Sequence, residues 1–366
     1  MRGGLGLAER TLLVTSAGTG ASNNLIRSLK AGDPSAHVVG CHSDRFILKK
    51  SLADRNYLIP RSMYPEIADV VAAERVDLVI PSSDADVRTI SDLRAKLPCR
   101  TFLPQTHVIE MCQDKYDLTL FLRARELGAP LTYPVTDLNS IDDLFQKLAP
   151  PDRVWCRIRT GAGSMGAIPV ERPEQARSWI AYWQETRGVP ATSFTLSEYL
   201  PGRDFSLQSL WRDGTCVLGK MSERLAYFVM GNSPSGVSST PALAKTVFEP
   251  RVVKLCHDAI RALDDRASGI FCFDLKENGG GAACITEINA GRFAMITNIY
   301  DLTGRHNMAS TYVRLALDVP VDIPNPHDFE EDCYLVRDLD TTPSIFRADE
   351  LLEGIDEIRA EHIRGT

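Results

Sequence analysis

No apolar run in this 366-residue chain approaches the ~18–20 residues that a membrane-spanning helix requires. The N-terminus, MRGGLGLAERTLLVTSAG, offers only TLLV as an apolar stretch, too short for a secretory leader, so a cytoplasmic protein without membrane contact is expected. Basic charge is also scarce. With 41 Lys+Arg against 48 Asp+Glu the net charge is −7, which provides no electrostatic footprint for nucleic acid or an anionic membrane. The nine cysteines include no C-x-x-C pair, which argues against a zinc ribbon or a disulfide framework and suits reduced core thiols. No internal repeat and no low-complexity tract is present. The Gly18-Thr19-Gly20 turn lacks the third glycine of a dinucleotide fingerprint, and a plain strand-to-helix turn explains it too.

What remains is an ordinary globular composition, 44% hydrophobic and 24% charged, long enough for two or three domains. Over the first hundred residues short apolar strands (11–16, 38–41, 77–81) alternate with helical patterns (from Asn24, 64–74, 84–97). That alternation predicts βαβ units and a parallel sheet. An amphipathic helix from Asp114 stops at Gly128 with Pro130 beyond it. A strand at 154–159 and a helix at 176–187 follow, then strands at 195–199, 206–212 and 216–220 that read as antiparallel. Residues 231–240 (GNSPSGVSST) form a loop by composition, a candidate lid. Residues 248–263 and 307–317 are helical.

The most informative stretch is residues 269–293, GIFCFDLKENGGGAACITEINAGRF. Apolar runs at 270–275 and 283–288 flank a glycine loop, the pattern of a β-hairpin. Folding about the Gly280/Gly281 midpoint sets Asp274 opposite Glu287, and Asn289 shares the face of Glu287 because it lies two residues on. Like charges opposed on a sheet repel, so a hard cation with oxygen ligands, Mg²⁺ above all, suits the trio. A solvated hairpin face with two surface acids is the plain alternative.

Three further segments precede the hairpin. The turn Gly161-Ala162-Gly163-Ser164-Met165-Gly166 joins two strands, and its glycines would let backbone N–H groups close over phosphate oxygens. Arg157, four residues upstream, could supply a cation to the same phosphates. Glu198-Tyr199-Leu200-Pro201-Gly202-Arg203-Asp204 is an extended segment able to meet an adenine edge, with a carboxylate placed for ribose hydroxyls; a simple β-turn is its alternative. Lys115 opens a helix and is a further phosphate cation or a solvated side chain.

This ordered set resembles the ATP-grasp superfamily, nearest to carbamoyl-phosphate-synthetase-like and biotin-carboxylase-like carboxylate–amine ligases, over roughly residues 10–315. The resemblance implies an α/β and α+β fold. It would comprise an N-terminal Rossmann-like pre-grasp domain (1–110), a grasp subdomain with the glycine-rich loop (111–195), a second with the Mg²⁺ site (196–320) and a C-terminal extension (321–366). It implies that Lys115, Arg157, Gly161, Gly163, Ser164, Glu198, Tyr199, Leu200 and Asp204 bind ATP. Asp274, Glu287 and Asn289 would hold two Mg²⁺ ions, with Mn²⁺ as a substitute. Lys220, Arg224 and Arg292 are the candidate catalytic cations, and Arg337 and Asp340 are weaker candidates for the same cleft. The implied reaction joins a small-molecule carboxylate to an amine through an acyl phosphate, with amino-acid-like substrates and release of ADP and phosphate. A homodimer is compatible with this. Bicarbonate-dependent carboxylation or carbamoylation, a non-catalytic nucleotide-binding regulator and a dinucleotide-dependent oxidoreductase are the rivals. One departure stands out: the family commonly reads E-x-N-x-R, whereas here Glu287-Ile288-Asn289-Ala290-Gly291-Arg292 is one residue longer.

Overall fold

The structure is a computed structural model and describes residues 10–60, 66–149, 152–228, 235–336 and 354–357. Its first unit alternates β1 (Thr11–Val14), α1 (Gly20–Gly32), β2 (His37–His42), α2 (Arg45–Leu48), β3 (Arg55–Leu58), α3 (Glu66–Ala73), β4 (Leu78–Ile80), α4 (Asp84–Leu93) and β5 (Arg100–Thr101). The strands are parallel, with β1 between β2 and β4. Both faces are buried: Leu12, Val14 and Val38 pack toward α1, while Leu13, Val39 and Val79 pack toward α3 and α4. Such double burial is why these strands read as continuous apolar runs. Thr19 caps α1 by accepting from the Ser22 amide. Gly18 has φ +88°, and a Cβ there would lie 1.9 Å from the Ile47 carbonyl oxygen. Packing therefore accounts for this glycine, which removes the motive for a dinucleotide site.

The second unit holds α5 (Thr106–Gln113), α6 (Lys115–Arg123), β6 (Thr132–Pro134), α7 (Ile141–Leu148), β7 (Val154–Ile158), β8 (Ile168–Val170), α8 (Pro173–Arg187) and β9 (Phe194–Glu198). Its antiparallel sheet runs β6-β9-β7-β8, covered by α7 and α8 through Ile141, Phe145, Ile180 and Phe194. Asp114 caps α6, accepting from the Tyr116 and Asp117 amides. Pro173 opens α8, and left-handed Gly188 closes it.

The third unit holds β10 (Asp204–Arg212), β11 (Thr215–Tyr227), β12 (Pro241–Thr246), α9 (Pro250–Leu263), β13 (Gly269–Glu277), β14 (Ala283–Ala290), α10 (Thr297–Tyr300), α11 (Met308–Ala316) and β15 (Tyr334–Val336), and a last strand, β16 (Asp356–Glu357), returns to the sheet of the first unit. Its antiparallel sheet runs β14-β13-β10-β11-β12-β15. One face buries Phe205, Leu207, Trp211, Phe271 and Phe273 against α5, α6 and α9. Each large side chain sealed there stabilises the fold by roughly 1.5–3 kcal/mol. At one end of the opposite face Leu210, Leu218 and Ile270 join a core shared with α1 and α11. The first unit is thereby anchored to this sheet.

The α/β and α+β architecture expected from the sequence is the one found. The short elements α2, β3 and α5 were not anticipated, and β11 runs to Tyr227 rather than stopping at 220. Part of the expected helix 64–74 lies outside the described residues. From the C-terminal stretch, β15 extends the third sheet and β16 pairs in parallel with β3 of the first. Among the described residues no helix is long and apolar enough to cross a membrane.

Candidate active site

Strand register organises the uncovered face of the third sheet into rows of neighbouring side chains. Arg224, Asp204 and Lys276 lie side by side across β11, β10 and β13. The next row is Ser222, Ser206, Asp274 and Glu287, and the one after it Lys220, Gln208, Cys272 and Asn289. Beyond that row comes the apolar Leu218, Leu210 and Ile270. Charge density therefore falls along one sheet face, from a polar mouth to a sealed core.

Asp274 does pair with Glu287, though not through the anticipated turn. The loop bonds Asn278 N–H to the Ala282 carbonyl, and Glu277 pairs with Ala283, so the hairpin centres on Gly280 itself. Leu275 pairs with Ile285, leaving Thr286 as an extra residue before Glu287 meets Asp274. This bulge turns Glu287 and Asn289 away from the Ile285 core face and toward Asp274. The Thr286 carbonyl exposed by the bulge accepts from both terminal nitrogens of Arg157, each at 3.1 Å.

Four cations surround these acids. Lys115 donates to the Gly161 carbonyl at 2.5 Å and stands 3.5 Å from Glu287 Oε1. Arg157 is buried, which works against its charge and lowers its pKa despite Glu287 and Asp274, and its Nε has no partner. Arg224 bonds Asp274 and lies 3.4 Å from Asp204, which also accepts from the Tyr227 hydroxyl at 2.5 Å. Burial opposes the Arg224 charge, but Asp274 and Asp204 outweigh it. Arg292 reaches Asp84 and Asn289, both at 2.5 Å. Burial raises the Glu287 carboxyl above the ordinary range, with Lys115 pulling it down and Asp274 pushing it up. Burial likewise raises Asp204 against the pull of Arg224.

Sheet β6-β9-β7-β8 supplies the facing wall. Gly161, Gly163 and Gly166 have φ of +104°, +73° and +71°, and Ser164 has φ +56°, so four of the six residues 161–166 in the turn between β7 and β8 have positive φ. A Cβ on Gly163 would meet nothing within 4 Å, so its glycine answers to backbone conformation and to open space above the loop. The Glu198 carboxylate accepts from the Leu131 amide at 2.8 Å, Leu200 is buried, and Arg153 and Lys276 lie near the Tyr199 ring.

The two walls enclose a cleft of about 660 Å³, within the ordinary range for small-molecule sites. Lys115, Arg157, Gly161, Gly163, Ser164, Glu198, Tyr199, Leu200, Asp204, Arg224, Asp274, Glu287, Asn289 and Arg292 all line it. Lys220 does not. It lies one row deeper, fully buried and paired with Asp328 at 3.2 Å, so its selection as a catalytic cation is corrected. Strand alternation places it on the face of Arg224 but carries no information about depth. Residues 236–240 of the expected lid loop line the cleft, while residues 231–234, Arg337 and Asp340 lie outside the described residues.

Sequence reasoning missed Asp84, Thr286 and Tyr227. The signal for the bulge was present: Ile285 and Ile288 both face the core yet stand three apart, which a regular strand forbids. For Asp84 the only signal was its place between a strand end and a helix start, where open α/β sheets hold ligands. Among the described residues no cluster of three or more His, Cys, Asp or Glu could hold a metal ion; this site presents two carboxylates and a carboxamide.

A parallel α/β unit followed by two antiparallel sheets clasping a cleft defines the ATP-grasp fold, and this chain has that fold. No family model and no curated protein matches the sequence. Among solved structures, the biotin carboxylase domain of Hydrogenobacter thermophilus 2-oxoglutarate carboxylase, in complex with MgADP, ADP and bicarbonate, is similar at a TM-score of 0.68. It is 13% identical, over 89% of this chain and 73% of that one. L-amino acid ligase from Bacillus licheniformis gives 0.62 at 12% identity, over 85% and 74% of the two chains. N5-carboxyaminoimidazole synthetase from Staphylococcus aureus, complexed with ADP, gives 0.63 at 11%, over 87% and 79%.

Proposed function

We propose that this protein is an ATP-dependent carboxylate–amine ligase acting through an acyl phosphate on amino-acid-like small molecules. The observation that carries the reading is the convergence of Asp274, Glu287 and Asn289 with Lys115, Arg157, Arg224 and Arg292 under one left-handed glycine turn. Two partly buried carboxylates opposed across a hairpin, with a carboxamide beside them, are an all-oxygen donor set that fits Mg²⁺. The buried, unpartnered Arg157 Nε is a donor suited to an anion in the same cleft.

Asp274, Glu287 and Asn289 would hold the divalent ions, which would supply positive charge to neutralise the phosphoryl group in transfer. Arg157 and Lys115 bind the nucleotide phosphates, and the Gly161–Gly166 turn closes over them and excludes water. Glu198, Tyr199 and Leu200 form the adenine end, and Asp204, oriented by Tyr227, takes the ribose. Arg292 and Arg224 face the carboxylate end. The carboxylate oxygen attacks the γ-phosphorus, the bond to the β-phosphate oxygen breaks, and ADP leaves. The amine nitrogen then attacks the acyl carbon, phosphate departs, and the amine proton is lost to water or phosphate. All nine cysteines are free, which supports a cytosolic setting; a homodimer is part of this reading.

Purified protein with MgATP and a panel of amino acids, singly and in pairs, tests it. ADP and phosphate should accumulate with a productive pair, and hydroxylamine should trap a hydroxamate when the amine is left out. AMP as the main nucleotide product overturns the mechanism. Turnover with bicarbonate and no amino acid moves the protein to carboxylation chemistry instead.

A further inference from the structure

Between Asn289 and Arg292 the chain leaves β14 through Ala290 and Gly291, one residue more than a strict alternation would use to return Arg292 to the cleft face. Gly291 makes the exit at φ +93°, its N–H donating to the Ile270 carbonyl at 2.8 Å. A Cβ there would stand 2.9 Å from Val87 Cγ1 and 3.2 Å from Leu103 Cδ2. The exit turn is therefore pressed onto α4 of the first unit, and Arg292 begins outside regular strand geometry. Among the described residues of its own sheet, the Asn289 carboxamide is the hydrogen-bond partner of its guanidinium.

The second fixed point comes from α4. Arg292 Nε meets Asp84 Oδ1 at 2.5 Å and a terminal nitrogen meets Oδ2 at 3.3 Å, a two-pronged contact that sets the plane of the guanidinium as well as its position. Asp84 is itself well held. It is the first residue of α4, where the helix dipole favours a carboxylate, and Ser83 caps the same turn by accepting from the Asp86 amide at 3.1 Å. The Asp84 backbone carbonyl accepts from Gln113 of α5 at 2.8 Å. Both partners line the cleft, and their side chains are only 25% and 19% exposed.

We propose that Asp84 is the positioning residue for Arg292: the first unit reaches into the cleft to aim a guanidinium that its own strand no longer directs. This rests on the proposed function, in which Arg292 faces the carboxylate end of the cleft, where the phosphoryl group is received. An ion pair serving only to join the two units would hold equally well whatever the nucleotide carried. An aiming contact should matter only when a group in transfer occupies the cleft.

MgADP alone and MgADP with aluminium fluoride, the latter imitating the phosphoryl group in transit, separate these roles without any knowledge of the acceptor. In the full chain, Asp84→Asn should bind MgADP within about twofold of wild type yet lose roughly 10- to 100-fold of the tightening that fluoride confers, the scale expected when a catalytic group is displaced by about 1 Å. Asp84→Glu, which restores the charge, should recover most of that loss. Arg292→Gln should lose the tightening too, and the double variant should lose no more than Arg292→Gln alone. Full tightening in Asp84→Asn, no recovery in Asp84→Glu, or additive losses in the double variant would each overturn the proposal. If Asp84→Asn does not fold, Arg292→Lys tests the same geometry, since it keeps the charge but not the fork; full tightening there is equally fatal. A wild-type protein that binds no MgADP overturns the nucleotide reading itself, a result distinct from the others.

Discussion

Replacing Glu287 by glutamine should separate function from stability in opposite directions. Lys115 Nζ stands 3.5 Å from Glu287 Oε1, and at an effective dielectric near 20 that pair attracts by about 5 kcal/mol before desolvation. Burial and the opposed Asp274 act the other way, and the sum leaves the carboxyl pKa raised. A raised folded-state value means that the fold favours the protonated form more than the unfolded chain does. Wild-type stability therefore declines as pH rises through the ordinary carboxylate range and on through the folded value. Glutamine cannot ionise, so its advantage appears at neutral pH and vanishes in acid. The net gain should be no more than about 1 kcal/mol, or about 1–2 °C in melting temperature for a chain of this length, measured in EDTA at pH 7 and pH 4. Turnover at saturating Mg²⁺ should meanwhile fall by roughly 100-fold or more, since even groups that only support a metal ligand are worth about 10–100-fold. A melting temperature several degrees lower at pH 7 with near wild-type turnover would refute the reasoning, because Glu287 would then be a structural partner of Lys115.

Lys220→Met should lower global stability by about 1.5–3 kcal/mol in denaturant titration, because Asp328 loses a buried charged partner while keeping His306; MgADP affinity of the folded protein should stay within about twofold, and a selective loss of affinity would return Lys220 to the site. His257 sits edge-on to Trp211, and burial, reinforced by neighbouring His327, lowers its pKa to about 4. Its neutral form is favoured in the fold, so stability should fall as pH drops from about 6.5 toward 4; in His257→Gln that fall should shrink by about 1 kcal/mol once the screening of a half-buried group is allowed for. Identical acid profiles for the two proteins would count against this.

How much of this was legible beforehand differs between the two halves of the site. The facing of Asp274 and Glu287 was readable because strands alternate and hairpins fold back about their turns. Yet the inferred pair was correct by a route the chain does not take, with the turn centred on Gly280 and the bulge at Thr286 making up the difference. Glycine-turn chemistry was equally open to reading, since a run of glycines between two strands announces left-handed backbone whatever surrounds it. Depth was not legible. Lys220, Ser222 and Arg224 alternate along β11 and share one face, but only the covering of that face distinguishes them. Tyr300 caps Ser222 at 2.7 Å, and Asp328 closes over Lys220 from a segment more than a hundred residues away.

That covering also explains why one sheet can be both a core and a site. Gln208, fully buried in the third row, accepts through one oxygen from the Cys272 thiol, the Ala294 amide and the Thr297 hydroxyl. The stretch 294–297 is thus pinned across the sheet at the row where polar side chains give way to Leu218, Leu210 and Ile270. Burial pushes the Cys272 thiol up to about 12, so at neutral pH it acts as a hydrogen-bonded filler rather than a nucleophile. Toward the mouth, each acid lies beside a cation that belongs to a different element: Lys115 on α6 for Glu287, Arg224 on β11 for Asp274, Arg292 beyond β14 for Asp84. Charges held that way are balanced only when three parts of the chain are docked together. The cleft is therefore a product of the assembled fold, and its chemistry should disappear with the packing between the first unit and the third sheet rather than with any one motif.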